Sequence, residues 1–468
     1  MTSSLRYWNV LVGKTDQLYK RSPAWLQNVM VSVYGVWWRW LRFGGEFPRF
    51  KEELRNREIF RSEQWQGFQQ GKLIELLKVC VEEVPFYKES WTEAQKQSAL
   101  AGDLAGLPVL EKSALRGSEP AFCRRGQNGF FKQTFHTSGT TGTPISTTFT
   151  LSELRESLAV REVRSANWAG VSFSQPRATF SGRIVEPDPE ETERVYRYNA
   201  AEKQVYFSAF HLKPTTARSY VEALFRHKVE WMTGYAVSFF LLARYILEQQ
   251  IAVPKLRAVI TTSEKLTEQM RFVMEKAYGC KVYEEYSTVE SALFASECEC
   301  GRLHVSPDVG IVEILRPDGT RCEPGEVGEV VATCLFRSYQ PLVRFRLGDL
   351  ASWDANPCPC GRQMPVIKEV VGRVEDVVTG PDGRQLVRFH GIFTDQPNII
   401  EGQIIQETLT VFVVKLVPSP DFSETDEIDI RQRMHQRLGS DVTISIEKVS
   451  SIPRTNSGKF QAVISKVK

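Results

Sequence analysis

Little in this chain points to a nucleic acid or to the interior of a bilayer. Lys and Arg number 59 against 56 Asp and Glu, so no excess of positive charge marks a nucleic-acid binder. No apolar run approaches the roughly 18–20 residues of a membrane-spanning helix, and the opening MTSSLRYWNVLVGKT lacks a secretion-signal layout. The expected compartment is the cytoplasm. Nine cysteines in 468 residues, without such a signal, do not amount to a disulfide scaffold. The six histidines assemble into no Ser-His-Asp arrangement.

What remains is ordinary globular material. A hydrophobic content of 42% and a charged content of 25% provide a core, and the length predicts a large domain plus a smaller one, or three subdomains. Residues 1–110 read as mostly helical. The unusually aromatic segment PAWLQNVMVSVYGVWWRWLRFGG, from Pro23, is expected to be a helix docked on the main body, with an interfacial helix on a membrane as the alternative. Strand, helix and strand then alternate through VEWMTGY, KLRAVITT and KVYEEY, which predicts an α/β layered core. VEPDPEETERVYRYN is expected to be a surface excursion. Beyond residue 305, DG and PG punctuate strands and imply an accessory β subdomain. The last stretch predicts a small α+β domain, with a helix near NIIEGQIIQE, strand LTVFVVKLVP, helix EIDIRQRMHQRLG and strand VTISIEKV. The expected divisions are 1–110, 111–374 and 375–468.

One loop stands out. HTSGTTGTP follows the strand FFKQTF and precedes the strand ISTTF. Gly139 and Gly142 let the backbone approach an anion, and Thr137, Ser138, Thr140, Thr141 and Thr143 supply hydroxyl donors. It lacks the Gly-Lys-Ser/Thr ending that leads the common triphosphate loop into a helix. A hydrophilic turn is the plainer reading. Two acids favour a function: Glu290 after KVYEEY and Asp349 at the end of LVRFRLGD lie at strand ends, where α/β folds collect ligands.

TSGTTGTP (137–144), YSTVE (286–290), PLVRFRLGD (341–349), GRVED (372–376) and PRTNSGK (453–459) occur in the order found in adenylate-forming enzymes. The chain resembles the phenylacetate-CoA ligase and capsule-biosynthesis branch of that superfamily, with RFGGEF, VPFYKESW, TTSEKLT and LHVSPDVG adding to the likeness. The resemblance implies ATP-dependent activation of a small carboxylic acid as an acyl-adenylate, then transfer to coenzyme A or to an amine or hydroxyl acceptor. It also implies that the small C-terminal domain is mobile, and leaves homodimer formation open.

Roles follow residue by residue. Thr137, Ser138, Gly139, Thr140, Thr141, Gly142 and Thr143 would embrace the β and γ phosphates of ATP. Glu290 would hold Mg²⁺, Asp349 the two ribose hydroxyls, and Arg373 a phosphate or the ribose. Ser263, Glu264, Glu285 and Tyr286 would border the adenine and substrate region. Lys459 would reach in from the C-terminal domain to the acyl carboxylate and α-phosphate. Ile145 stands where many members have lysine, and Ser287 and Val289 depart from the usual Tyr-Gly-x-Thr/Ser-Glu, which admits altered geometry or a non-catalytic member that keeps the fold. The acid pocket is sought among Phe207, Phe210, His211, Tyr235, Ala236 and Phe240, favouring an aryl or apolar acid; core packing is the alternative for each aromatic.

Cys298 and Cys300 form one close pair, Cys358 and Cys360 another. Four thiolates surround Zn²⁺ tetrahedrally in structural sites, so these residues are expected to hold a structural zinc, with reduced thiols as the alternative.

Overall fold

Contacts along the chain join Met1–Arg57 to Leu151–Glu285 and Glu58–Thr150 to Tyr286–Lys468, giving two compact units. The computed structural model describes residues 19, 22–126, 131–136, 145–181, 185–186, 191, 193–373, 378–381, 385–386, 392–393, 396, 398–455 and 460–467. The helical stretch expected over 1–110 is therefore shared, its helices up to Arg57 packing in one unit and those from Ser62 in the other.

In the first unit the apolar runs form parallel strands in the order Gln204–Ser208, Arg177–Ser181, Trp231–Tyr235, Ala258–Thr262 and Lys281–Ser287. Parallel strands covered on both faces need near-continuous apolar sequence, and every residue of Trp231–Tyr235 is buried. Gly234 has φ +143°, and a Cβ there would stand 2.0 Å from the Phe180 carbonyl oxygen. Only glycine permits that approach. Helices Ala236–Glu248 and Glu268–Tyr278 pack against each other, the second ending at left-handed Gly279.

The expected excursion before residue 200 is corrected at its end. Tyr196–Asn199 is a strand, antiparallel to Gln204–Ser208, and Arg197 is buried. Charge had disguised it: Arg197 Nη2 donates to Glu186 Oε2 at 2.6 Å, so the ion pair goes inside together. Helix Ala24–Phe43 lies on this strand. Gly35 makes the fit, since a Cβ there would meet Asn199 Oδ1 at 2.2 Å.

The second unit carries an antiparallel sheet in the order Gly310–Leu315, Gly328–Cys334, Phe345–Trp353, Val366–Arg373, Leu303–Val305 and Phe294–Glu297. Helix Ser62–Glu83 buries Leu73, Leu76, Leu77 and Cys80 in a core that also holds Tyr87, Phe122 and Phe345. The Tyr87 hydroxyl donates to the Pro341 carbonyl (2.9 Å) and accepts from the Val343 N–H (3.1 Å), so the phenol enters the core satisfied. A separate hairpin pairs Lys132–His136 with Ser146–Thr150.

The C-terminal part is a sheet of Thr443–Lys448, Val411–Pro418, Ile399–Gln406 and Val463–Ser465, covered by helix Glu424–Leu438 through Ile430, Met434 and Leu438. The helix expected near NIIEGQIIQE is overturned: Ile399–Gln406 is a strand, antiparallel to Val411–Pro418. Its isoleucines are stiff at χ1 and suit a pleated surface, and Gly402 leaves space that the Phe393 ring fills, 2.5 Å from where a Cβ would be. A large α/β body with antiparallel strands and a small α+β C-terminal part matches the expected fold class.

Candidate functional site

Two neighbouring strands of the second unit make an acid-centred corner. Asp349 on Phe345–Trp353 stands opposite Arg373, the last residue of Val366–Arg373. Arg373 Nη1 donates to Asp349 Oδ1 at 3.0 Å, and the Tyr286 hydroxyl donates to Oδ2 at 2.8 Å. Asp349 is buried, and a carboxylate in that state needs such partners. Burial, reinforced by the Asp349 charge, drives the Tyr286 phenol well above its ordinary pKa, so it remains a donor. Gly348 adopts φ +72°, and a Cβ there would lie 3.2 Å from Lys112 Nζ. Lys112 is thus a second cation at this corner, unmarked in the sequence because it precedes the corner by more than two hundred residues.

Glu290 follows the strand Lys281–Ser287 and is buried. Its backbone carbonyl accepts from Arg337 Nη1 at 2.5 Å, while Arg337 Nη2 donates to the Thr148 carbonyl at 2.8 Å. Gln340 supports the same strand, its Oε1 accepting from the Thr148 N–H at 2.7 Å. The Arg337 guanidinium also sits 3.9 Å from the centroid of the Phe149 ring, a cation–π contact strengthened by desolvation. Arg337 therefore ties Glu290 to the hairpin whose outermost paired residues are His136 and Ser146. No sequence motif announced it; an arginine inside the apolar run CLFRSYQPLV is the available signal. Thr137, Ser138, Gly139, Thr140, Thr141, Gly142 and Thr143 lie outside the described residues, as does Lys459.

The first unit holds the other candidates, several with structural duties. Glu285 is buried and paired by Arg161, whose Nη2 lies 3.1 Å from Oε1 and whose Nε donates to Oε2 at 3.3 Å. Arg161 opens a π-helical turn, Arg161–Ala166, a geometry often met at functional positions. Glu264 Oε2 accepts from the Val237 N–H (2.8 Å) at the start of helix Ala236–Glu248, as a first-turn anion should. Ser263 sits at φ +70°, a conformation non-glycine residues rarely adopt. Of the acid-pocket candidates, Phe207 is packed between Phe180 and Tyr220, with ring centroids 5.1 Å away in each case. It belongs to the core, which corrects that assignment. His211 is likewise buried and bonded through Nδ1 to Ser208 Oγ at 2.7 Å. Tyr235, Ala236 and Phe240 are buried and Phe210 is exposed.

The cysteine expectation changes in one ligand. Cys298, Cys358 and Cys360 come together with His304, their ligand atoms all within 4.8 Å of one another. Cys300 is exposed and outside the group. It rides the tip of a turn closed by Gly301 N–H on the Cys298 carbonyl (2.9 Å), with its own N–H donating to Cys298 Sγ at 3.4 Å. That backbone bond turns the Cys300 side chain outward. His304 enters from the strand Leu303–Val305, which has partners on both sides; the spacing CECGRLH was the missed signal.

The donor set fits a tetrahedral dication. Cys298 Sγ and Cys358 Sγ are 3.6 Å apart, and Cys360 Sγ and His304 Nε2 are 3.4 Å apart. A disulfide needs S–S near ~2.05 Å, whereas Zn–S bonds of ~2.3 Å imply tetrahedral edges of roughly 3.5–3.8 Å. Burial pushes the Cys358 thiol up to about 12, aided by its two cysteine neighbours; crowded thiols resist ionising together unless a cation joins them. Burial lowers the His304 pKa to about 4, so the ring is neutral at pH 7 and offers a lone pair.

Comparison with known proteins gives this geometry its context. Residues 380–466 match the CapK C-terminal domain family. A Staphylococcus aureus protein named CapK is 26% identical over 475 residues, covering 97% of this chain and 100% of that protein. A phenylacetate-coenzyme A ligase of Thermus thermophilus is 24% identical over 45% of this chain and 54% of its own length. Among solved structures, 2-hydroxyisobutyryl-CoA ligase in its postadenylation state, with an adenylate bound, aligns at a TM-score of 0.69 and 21% identity. It covers 88% of this chain and 92% of that one. Over nearly its whole length the chain is similar to that CapK protein, and it shares the fold of the 2-hydroxyisobutyryl-CoA ligase. Sequence order located Asp349, Arg373 and Glu290, and spatial proximity added Arg337, Lys112, Arg161 and His304.

Proposed function

We propose that the protein activates a small carboxylic acid with ATP and transfers the acyl group to a nucleophile, coenzyme A first among the candidates. The acid's oxygen attacks the α-phosphorus, the bond to the β-phosphate breaks, and pyrophosphate leaves. The acceptor then attacks the acyl carbonyl and AMP leaves. The observation that carries this reading is the Asp349 corner. An ionised, immobilised carboxylate offers several lone pairs to the ribose hydroxyls, and Tyr286 and Arg373 hold it on both oxygens.

Each remaining role answers an electrostatic need. A triphosphate and an attacking carboxylate repel, so cations must gather at the α-phosphate. Thr137–Thr143 supply hydroxyl and backbone donors to the β and γ phosphates, Arg373 a guanidinium, and Lys459 an ammonium on the domain that begins near residue 375. Glu290 would hold Mg²⁺, which neutralises phosphoryl charge when bound. Placing Lys459 on a mobile domain allows the cation to withdraw before the acceptor enters. Cys298, His304, Cys358 and Cys360 would hold a structural Zn²⁺, four protein ligands leaving no open position for catalysis.

The test is ATP–pyrophosphate exchange across aromatic, fatty and amino acids with magnesium present. Acid-dependent exchange is expected for at least one. Absence of exchange with every acid would sink the reading, and product masses with and without coenzyme A identify the acceptor.

A further inference from the structure

We infer that the helix Ala24–Phe43 seats the protein on an anionic lipid surface. The helix is docked by one side only. Gln27, Gly35 and Leu41 are buried, with Gly35 against Asn199 of the neighbouring strand. On another side, Trp25, Val33, Val36 and Trp40 are each 64–67% exposed and Val29 is 50% exposed. Their spacing of four, four, three and four residues places all five on a single stripe of a 3.6-residue helix. Isolated exposed apolar residues are ordinary; a stripe running the length of a helix marks an interaction surface.

Its chemistry selects the partner. Valine in the middle with tryptophan toward both ends suits the boundary between headgroups and acyl chains, where indole presents an apolar body and a polar N–H. A helix lying in that plane sinks its apolar face by roughly 5–10 Å. No helix among the described residues is long and apolar enough to cross a membrane, which leaves lying along the surface as the mode. Charge distinguishes a lipid from a second copy of the chain. From Gln17 to Gly45 there is no Asp or Glu, and Arg39 is exposed on the helix beside the stripe, whereas Arg42 is paired with Glu202 on the docked side. Two such helices face to face would bring the Arg39 guanidiniums to one interface with no acid on either helix to oppose them. Anionic headgroups complement Arg39.

The experiment uses the full chain with vesicles of phosphatidylcholine alone and of phosphatidylcholine mixed with phosphatidylglycerol. Sedimentation with the anionic vesicles and a blue-shifted tryptophan emission are expected. Combining Trp25→Ser, Val33→Ser and Trp40→Ser should weaken vesicle partitioning at least about tenfold, leaving far-UV circular dichroism and solution pyrophosphate exchange unchanged because the replaced side chains are exposed. Arg39→Glu tests the charge separately and should weaken anionic binding alone. Equal binding to neutral vesicles, no binding to either, or full binding by the triple variant would each overturn the proposal. A concentration-dependent dimer that the triple variant disperses, without vesicle binding, would assign the stripe to a second copy instead.

Discussion

Arg337 is the residue whose loss should be felt furthest. It is fully buried, and its guanidinium donates to the Glu290 carbonyl, the Thr148 carbonyl and Gln340 Oε1 at 2.5, 2.8 and 3.2 Å while covering the Phe149 ring. Arg337→Met keeps the length of the side chain and removes every donor. Each hydrogen bond to a charged group contributes about 1.5–3 kcal/mol, and a desolvated cation–π contact about 2 kcal/mol. These gains do not simply add, because the substitution also relieves the cost of burying a charge. Stranding a buried neutral acceptor costs about 1–3 kcal/mol, so the two carbonyls that lose the guanidinium, with Gln340 Oε1 reduced to the Thr148 N–H, together cost about 3–5 kcal/mol. For a body of this size that corresponds to a fall in melting temperature of between about 6 and 20 °C. Thermal unfolding by circular dichroism and by differential scanning calorimetry measures it. Pyrophosphate exchange at permissive temperature should show a raised KM for ATP, since the Glu290 segment and the strand Ser146–Thr150 lose a shared anchor. Arg337→Lys keeps the charge without the fork and should fall between the two. A melting temperature within ~2 °C of the parent, a shift worth about 1 kcal/mol or less, would refute the anchoring role.

Other consequences can be checked together. Tyr286→Phe removes one bond to the Asp349 carboxylate, and the KM for ATP in pyrophosphate exchange should rise about tenfold, the equivalent of roughly 1.5 kcal/mol; Asp349→Asn should raise it further. Lys459→Ala should abolish adenylate formation while equilibrium ATP binding persists; full exchange activity would remove that lysine from the chemistry. Elemental analysis should find about one zinc per chain, lost in Cys358→Ser and His304→Ala and retained in Cys300→Ser. Chelation of the parent should lower its melting temperature, as expected when bound metal stabilises the folded state; a zinc content that follows Cys300 instead would restore the four-cysteine set.

How much of this was legible depended on how local the cause is. The strands Ala258–Thr262 and Lys281–Ser287 and the helix Glu424–Leu438 carry their periodicity within a few residues, and they were readable. The strand Tyr196–Asn199 was hidden because Arg197 looks solvent-bound until Glu186 neutralises it. Ile399–Gln406 was misread because its short apolar repeat suits either period, and the deciding fact is its pairing with Val411–Pro418. At the candidate site, motif order located acids whose partners are distant in sequence. Arg337 and Thr148 are 189 residues apart, Tyr286 and Asp349 63. Side-chain direction was the other blind spot: spacing favoured Cys300, and the turn pointed it away.

The same anchoring bears on the two departures from the usual Tyr-Gly-x-Thr/Ser-Glu pattern. If Ser287 and Val289 disabled the motif, they would have to displace the acid that follows them. Val289 is exposed, so its side chain takes no part in holding the segment's core side. Ser291 bends the chain at φ +50°, and its N–H closes a turn on the Thr288 carbonyl at 2.9 Å. Arg337 then grips the Glu290 carbonyl from a different element. Glu290 is positioned by its backbone and by an arginine outside the motif, neither of which needs Gly at 287 or a hydroxyl at 289. Arg337 thereby fixes Glu290 relative to the paired strands Lys132–His136 and Ser146–Thr150, and a fixed spacing between that acid and those strands is what triphosphate binding would require.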